Sequence, residues 1–464
     1  MSLRGPMLLV VVVGIVAAGL GIGVPALNGA HVAVDEEQYY LSAISLAEDG
    51  NLDITDEIAE QRWRAFADVA PQPETSIRPD GSQLSPHDPL LPVLLAGPAA
   101  LGGWVAAKAA LAALAGVLAA LTLWLAVRRF GVALRLATVG VAVASASAPL
   151  AVYGQQLYPE LPAALAVVLA VAALSGPVRG RELVLLAVTV TALPWLSVKY
   201  ALVAAVLAAL GAWRWWRAGE RGAVAGFTAG LAAMGGLYLL VHRAVWGGWT
   251  VYASGDHFAY NGGEFTVIGV DPDYVHRAWR LVGLLLDRDY GLVPWQPAWL
   301  LVVPAVAALV AARRAGTLVL VAPLAAGWVV ATFVALTMAG YWFPGRQVVV
   351  VMPLALLCVL CWLDGCSRRV QWLALGLGAA GVVNYAVLLV QGWLGQTTWV
   401  VHFSESVAPF FRTLSPVLGD YRHEPDWRFL AALALVLGLV VYGWRTGRRG
   451  RLPQPPREDP VAAR

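Results

Sequence analysis

Charge is scarce in this 464-residue chain: Asp, Glu, Lys and Arg make up 13% of it, while 59% is hydrophobic. A soluble globular domain carries roughly 25% charged residues, so this balance excludes one and defines a polytopic membrane protein. The mean hydropathy of +0.68 agrees. Lysine is rarer still, occurring only as Lys108 and Lys199. Cysteine is confined to Cys358, Cys361 and Cys366. With no second pair or nearby histidine they cannot complete a tetrahedral metal site, and no external disulfide is expected. The sequence has no G-x-x-x-x-G-K-[ST] phosphate loop, so it is not expected to hydrolyse ATP directly. Internal repeats are missing, which argues against an inverted-repeat transporter. The formal net charge of +3 gives no case for a nucleic-acid partner.

What fills the chain instead is apolar runs. About twelve are candidate spans, near 7–27, 104–127, 132–151, 160–176, 182–197, 200–217, 222–243, 294–312, 316–338, 347–363, 370–394 and 428–444. Several are short, so tilted or broken helices are expected among them. The first is read as an uncleaved anchor. Arginines gather in every second loop, from Arg128, Arg129 and Arg135 to Arg445, Arg448, Arg449 and Arg451. By the positive-inside rule those loops and both termini are cytoplasmic, giving a multi-pass protein of the cell membrane. Most acidic residues and all seven histidines then fall on the outer half.

The fold class expected is all-α and polytopic, one transmembrane domain over 1–445 with external loops at 28–103, 244–293 and 395–427. Residues 446–464 form a basic, Pro-rich tail expected to be disordered and cytoplasmic. In the first external loop, Glu48 to Asp68 is expected to lie on the membrane surface as a helix. A Pro-rich linker from Pro71 to Pro89 follows. The apolar stretch 89–103, broken by three prolines, is too short to span and reads as a re-entrant or interfacial helix.

Asp35, Glu36 and Glu37 stand directly after the first span. Carboxylates are costly beside hydrocarbon, so this cluster points to a polar cavity, although solvation of a loop accounts for it equally on position alone. Lys199 follows Pro194, and Arg346 follows Pro344; cations beyond helix-breaking prolines at the membrane edge suit a buried phosphate. Lys108 at the same level is as readily a snorkelling residue. Glu160, in Tyr158-Pro159-Glu160, complements a helix N-terminus or forms a cavity wall. Arg280, Asp287, Arg288 and Asp289 have the composition of a mutual ion-pair network. Trp246, Trp249, Trp295, Trp299 and Trp342 read mostly as interface-belt residues, with one or two free to stack on a sugar.

Taken together, these patterns resemble the GT-C superfamily of membrane glycosyltransferases, of the protein O-mannosyltransferase and aminoarabinose transferase type. The matching residues are Asp35-Glu36-Glu37-Gln38-Tyr39, His87-Asp88-Pro89 to Gly97-Pro98, and Gln156-Leu157-Tyr158-Pro159-Glu160. Further matches are Leu193-Pro194-Trp195 with Lys199, Leu285-Leu286-Asp287-Arg288 with Gly291-Leu292, and Phe343-Pro344-Gly345-Arg346. The resemblance implies an inverting transfer of a sugar from a polyprenyl-phosphate donor to a glycan, glycolipid or protein acceptor at the outer face of the bilayer. It also implies a carboxylate of the first external loop as base: Asp35, with Glu36 as the alternative. Lys199, Arg346 and Arg280 would hold the donor phosphate, and His87, Asp88, Tyr158, Glu160, Tyr341 and Trp342 would line the acceptor or sugar side. A lipid-phosphate leaving group is served by cationic side chains, so no metal or cofactor is expected. The competing readings are a transporter or flippase of a lipid-linked solute and a cell-envelope polysaccharide polymerase or ligase.

Overall fold

Two glycines decide the course of the longest apolar run. Residues Leu90–Arg128 are helical except at Gly102 (φ −160°, ψ 26°) and Gly103 (φ 64°, ψ −156°). Gly103 occupies a conformation that a Cβ strongly disfavours. The run therefore splits into two arms. The first holds the Pro-punctuated stretch expected to be re-entrant or interfacial. The second, from Trp104 to Arg128, rises about 37 Å at about 1.5 Å per residue, more than the ~30 Å hydrocarbon thickness.

The structure, a computed structural model, describes residues 2–449 except 28, 73, 257–262, 264–271, 401–402 and 424. Among the described residues the long elements are all helices: α1 Arg4–Leu20, α2 Asp35–Glu48, α3 Leu90–Arg128, α4 Leu134–Ser145, α5 Glu160–Ser175, α6 Gly180–Leu196, α7 Ala201–Arg217, α8 Arg221–Val245, α9 Val302–Ala311, α10 Thr317–Val329, α11 Met352–Leu363, α12 Arg368–Trp393 and α13 Trp427–Arg449. Every expected span is helical over most of its length. Among the described residues seven helical stretches are long and apolar enough to cross a membrane, and four others are apolar but shorter. The shortness has local causes. Helix α4 stops at Ser145, and only a four-residue helix, Leu150–Tyr153, resumes beyond Pro149. Helix α10 loosens into a π turn over Val330–Val334.

Burial sorts the helices into centre and rim. In the stretch Arg346–Leu363, 94% of the apolar window is inside the protein, against 17% for α8 and for α13. Helix α5 is also central, with Leu161, Val167, Val168 and Val171 fully enclosed. One continuous apolar core runs from Val10 to Ala432. The rim helix α13 joins it through two small residues a turn apart. A Cβ on Gly443 would stand 2.2 Å from the Pro304 carbonyl oxygen, and one on Gly447 2.3 Å from that of Ala308. Such close backbone approach is how helices associate without a hydrophobic driving force between them. Gly443→Ile is expected to separate α13 from α9 and lower the melting temperature in detergent, whereas Gly438→Ile, at a glycine with no neighbour within 4 Å, leaves it unchanged.

The same packing corrects one expectation. Residues 446–449 continue α13 instead of beginning a disordered tail, because Gly447 is docked on α9. Residues 450–464 lie outside the described residues, as do His257 and His402. The surface helix expected over Glu48 to Asp68 is not continuous either. It breaks into a short helix, Thr55–Ala59, and a 3-10 turn, Arg62–Ala65, divided by Gln61 in the left-handed conformation. Asn51 also prevents continuity, since its side-chain oxygen accepts from Ser45 Oγ (2.9 Å) and Asp53 N (2.7 Å), closing a local turn.

Candidate active site

The acidic cluster is the first turn of α2, where an exposed helix N-terminus favours negative charge. Val34 precedes it at φ 59°, ψ −134°, a strained conformation for a β-branched residue. Successive residues on a helix diverge by about 100°, and the three acids part accordingly. Asp35 keeps 22% of its side chain exposed, while Glu36 is fully enclosed.

Asp35 sits in a line of alternating charges. Its Oδ2 accepts from Arg346 Nη2 at 2.6 Å and lies 3.7 Å from His87 Nε2. Arg346 Nε donates to Glu160 Oε1 at 3.0 Å, and Lys199 Nζ donates to the same oxygen at 2.7 Å. At the other end His87 Nδ1 is 3.8 Å from Glu74 Oε2 and 2.9 Å from Ser85 Oγ. The order is thus Glu74, His87, Asp35, Arg346, Glu160, Lys199, drawn from segments spread from residue 35 to residue 346.

Local structure places each member. Glu160 follows Pro159 into the first turn of α5. Lys199 lies in a 3-10 turn, Val198–Tyr200, where α6 breaks at the extended Ser197 beyond Pro194. Arg346 follows Gly345, whose φ of 90° only glycine adopts readily; a Cβ there would also meet Leu292 at 2.7 Å. Tyr153 OH fixes that turn by donating to the Phe343 carbonyl at 2.5 Å. The Arg346 guanidinium lies 4.0 Å from the Tyr158 ring and 5.1 Å from the Trp342 ring. Its Nη1 has no hydrogen-bond partner among the described residues.

Around this line, buried polar atoms stand without partners among the described residues: both amide atoms of Gln156, the hydroxyls of Tyr158 and Tyr200, and Glu160 Oε2. Buried polar atoms in folded proteins are nearly always hydrogen-bonded. Such atoms beside two cations can receive hydroxyls or anionic oxygens of a polar ligand.

Protonation outside the spanning helices follows from the same geometry. Burial opposes the charge on Asp35, yet Arg346 and His87 outweigh it and hold its carboxyl well below the usual range. His87 is raised: burial disfavours its charge, but the neighbouring carboxylates of Asp35 and Glu74 prevail. Glu74 is pushed up to about 7, chiefly by burial. Glu37 is pushed up to about 8 by burial and then by Glu36 and Glu74. A group raised in the folded state stabilises it below its unfolded pKa, and that stability is lost as pH rises through the folded value. His87, Glu74 and Glu37 all act in this direction. The melting temperature is therefore expected to fall between about pH 5 and 8, and Glu37→Gln, which removes one titrating group, is expected to flatten that decline.

Glu36 has other partners. Its Oε1 accepts from Leu157 N at 2.6 Å and lies 3.5 Å from Lys108 Nζ, which also donates to Gln155 Oε1 at 3.2 Å. Both charged side chains are fully buried. Lys108 therefore does not snorkel; it turns inward to neutralise Glu36. Asp88, expected on the acceptor side, is likewise enclosed, accepting from Val198 N (2.9 Å) and Tyr238 OH (2.9 Å) and facing His242 Nε2 at 3.1 Å.

The remaining candidates separate. Tyr341 is exposed and Trp342 half-buried beside Arg346. Arg280 has none of these partners: it donates to the carbonyls of Ala335 (2.7 Å) and Leu336 (3.1 Å), closing the end of the π turn. Of the ion-pair network expected around it, Arg288 Nε lies 3.7 Å from Asp289 Oδ1, and the rest forms otherwise. Asp287 caps the backbone N–H groups of Asp289, Tyr290 and Tyr421, and Arg422 binds Asp289 at 2.8 Å. Trp246, Trp295 and Trp299 are buried, so they are core residues instead of a membrane belt. Sequence reasoning missed Glu74, which stands in a Pro-rich polar stretch with no motif around it. It also missed Gln155 and the alignment of Tyr238 and His242 on α8 with Trp246 at its C-terminal cap, whose four-residue spacing was a readable signal. Among the described residues one group, Asp49, Asp56 and Glu57, has carboxylates close enough to share a cation. It contains none of the residues above.

The helical bundle, with its acidic helix α2 and enclosed ion line, shares its fold with a solved structure. It is similar to the crystal structure of ArnT from Cupriavidus metallidurans bound to undecaprenyl phosphate, with a TM-score of 0.53 and 16% identity over 97% of this chain and 79% of that one. No family model and no curated protein matches the sequence.

Proposed function

We propose that this protein is an inverting membrane glycosyltransferase that moves a sugar from a polyprenyl-phosphate donor to an acceptor hydroxyl at the outer face of the cell membrane. The observation that carries this reading is the placement of Arg346 and Lys199 on one carboxylate, Glu160, beside Asp35, in a fold matched by a protein solved with undecaprenyl phosphate. An apolar groove supports a lipid-borne substrate. It has a volume of about 540 Å³ and is lined by Pro89, Leu90, Val93, Val188, Trp195 and Met234 among others. Pro89 adjoins Asp88, whose carboxylate holds the backbone next to Lys199.

In this reading Arg346 Nη1 and Lys199 Nζ receive the donor phosphate, and the unpartnered Gln156, Tyr158 and Tyr200 receive sugar or phosphate oxygens. Asp35 accepts the acceptor's hydroxyl proton as that oxygen attacks the anomeric carbon. The bond from carbon to phosphate oxygen breaks on the opposite side, so the configuration inverts and the phosphate leaves with the bonding pair. Arg346 stabilises the charge that develops there. As the phosphate takes up the Arg346 charge, Asp35 loses part of the neutralisation that keeps it a weak base.

Arg346→Ala removes a charge-assisted contact of about 1.5–3 kcal/mol, so polyprenyl-phosphate affinity is expected to drop by about tenfold or more, with acceptor binding less affected. Equal donor affinity in wild type and variant removes Arg346 from the phosphate site. The function as a whole is tested by mass spectrometry of envelope glycans and glycolipids from a strain lacking the protein, together with transfer assays on the purified protein. A glycan profile identical to wild type, or movement of a lipid-linked solute across liposomes without covalent change, overturns it.

A further inference from the structure

The aromatic face formed by α8 and its C-terminal cap stands outside the ion line but reaches, through Asp88 and Ser85, the segments that carry Lys199 and His87. Tyr238, His242 and Trp246 are spaced four residues apart, which aligns them along one side of the helix. His242 is completely buried. Its ring stacks on Tyr238 at 3.7 Å and on Trp246 at 4.8 Å, with Trp195 tilted against it at 5.6 Å.

The hydrogen-bond inventory of His242 fixes its proton count. Nδ1 lies 2.7 Å from the Tyr238 backbone oxygen, which only accepts. Nε2 lies 3.1 Å from Asp88 Oδ1. That carboxylate also takes the Tyr238 hydroxyl on Oδ1 and the Val198 N–H on Oδ2. With the Tyr238 hydroxyl on one oxygen and the Val198 N–H on the other, Asp88 has the surroundings of an ionised carboxylate, which only accepts. Both ring nitrogens of His242 therefore face acceptors, and both must donate. The two aromatic faces that enclose the ring suit a cation.

We propose that Asp88 and His242 form a buried carboxylate–imidazolium pair whose task is to position two members of the ion line, Lys199 and His87. Asp88 holds the N–H of Val198, one residue before Lys199, and directly follows His87 in the chain. Trp246 Nε1 donates to the Ser85 carbonyl at 2.9 Å, and Ser85 Oγ in turn contacts His87. One helix face thus sets the register of segment 85–88 against the Lys199 turn. His242 and Asp88 are positioning residues, and their assigned task rests on the donor-phosphate reading above.

Solid-state 15N NMR of the histidine-labelled full-length protein in lipid bilayers tests the pair without any activity. The expected spectrum at pH 7 contains an imidazolium signal that disappears in His242→Gln. In Asp88→Asn, where the amide can donate to Nε2, that signal is expected to become a neutral ring with one protonated nitrogen. A neutral His242 in the wild type overturns the pair. Positioning is tested separately by binding of polyprenyl phosphate. His242→Phe keeps the stacked ring and removes both donors, and is expected to weaken binding by about tenfold or more, the scale of a small displacement at a preorganised site. In a Lys199→Met background the same substitution is expected to add little. Independent, multiplying losses overturn the coupling to Lys199. If the wild type binds no polyprenyl phosphate, the donor reading and the positioning task fall together, while the spectrum still decides the charge pair.

Discussion

Asp35→Asn is expected to lower sugar transfer by about 10²–10⁴-fold, the usual contribution of a positioned general base, in a protein that still folds. The side chain is nearly isosteric, and its amide oxygen can go on accepting from Arg346 Nη2, where the carboxylate now lies 2.6 Å away. The line from Glu160 to Lys199 does not include Asp35, so donor phosphate affinity is expected to change far less than turnover. What disappears is the ability to take a proton. Measuring turnover and polyprenyl-phosphate affinity on the same purified variant separates the two effects. Wild-type turnover in Asp35→Asn would remove Asp35 from the chemistry and direct attention to Glu74, the neighbouring carboxyl held near neutral pH by burial.

A second large effect belongs to stability. Lys108→Met leaves Glu36 fully buried without its counter-charge, and breaking a buried ion pair from one side costs about 3–5 kcal/mol. The thioether chain fills most of the lysine volume, so cavity formation adds little. The double variant Lys108→Met/Glu36→Gln is expected to recover most of the loss, because a neutral glutamine still accepts from Leu157 N, at 2.6 Å in the native protein, and no charge remains uncompensated. Equilibrium unfolding in detergent for the four corners of this cycle measures the coupling. A Lys108→Met protein as stable as wild type would mean that Glu36 takes up a proton at no cost, which its complete enclosure argues against.

The two effects divide neighbouring residues between different tasks. Asp35 and Glu36 are adjacent in the chain, yet one reaches the ion line and the other reaches the interior of the bundle. Position after the first span identified the pair as unusual without distinguishing them. Lys108 was read with equal weight as a residue reaching for lipid headgroups, because a lone lysine near a membrane edge has the same sequence whether it turns outward or inward. Only Glu36, on a separate helix, decides the direction. Arg280 illustrates the same limit. Its neighbours Asp287 and Asp289 made an ion pair plausible, but the carbonyls of Ala335 and Leu336, freed at the end of a π turn, take the guanidinium. Arg422, far along the chain, binds Asp289 instead.

By itself the sequence determined what composition and period determine: a membrane-spanning helical bundle, the approximate place of each apolar segment, and the cations and carboxylates that a phosphate-handling site at one membrane face would need. Those follow from local terms, since the cost of burying charge and the length of an apolar run are properties of a single segment. Which groups meet was decided only by the tertiary structure. The contact of Arg346 with Asp35 joins residues 311 positions apart, and the placing of Lys199 by Asp88 joins segments 110 apart. Such pairings depend on the kink at Gly102 and Gly103, the turn at Gly345 and the packing of rim helices on the centre. No local rule carries that information, because each pairing is fixed by the sum of contacts that brings distant helix ends to one cavity.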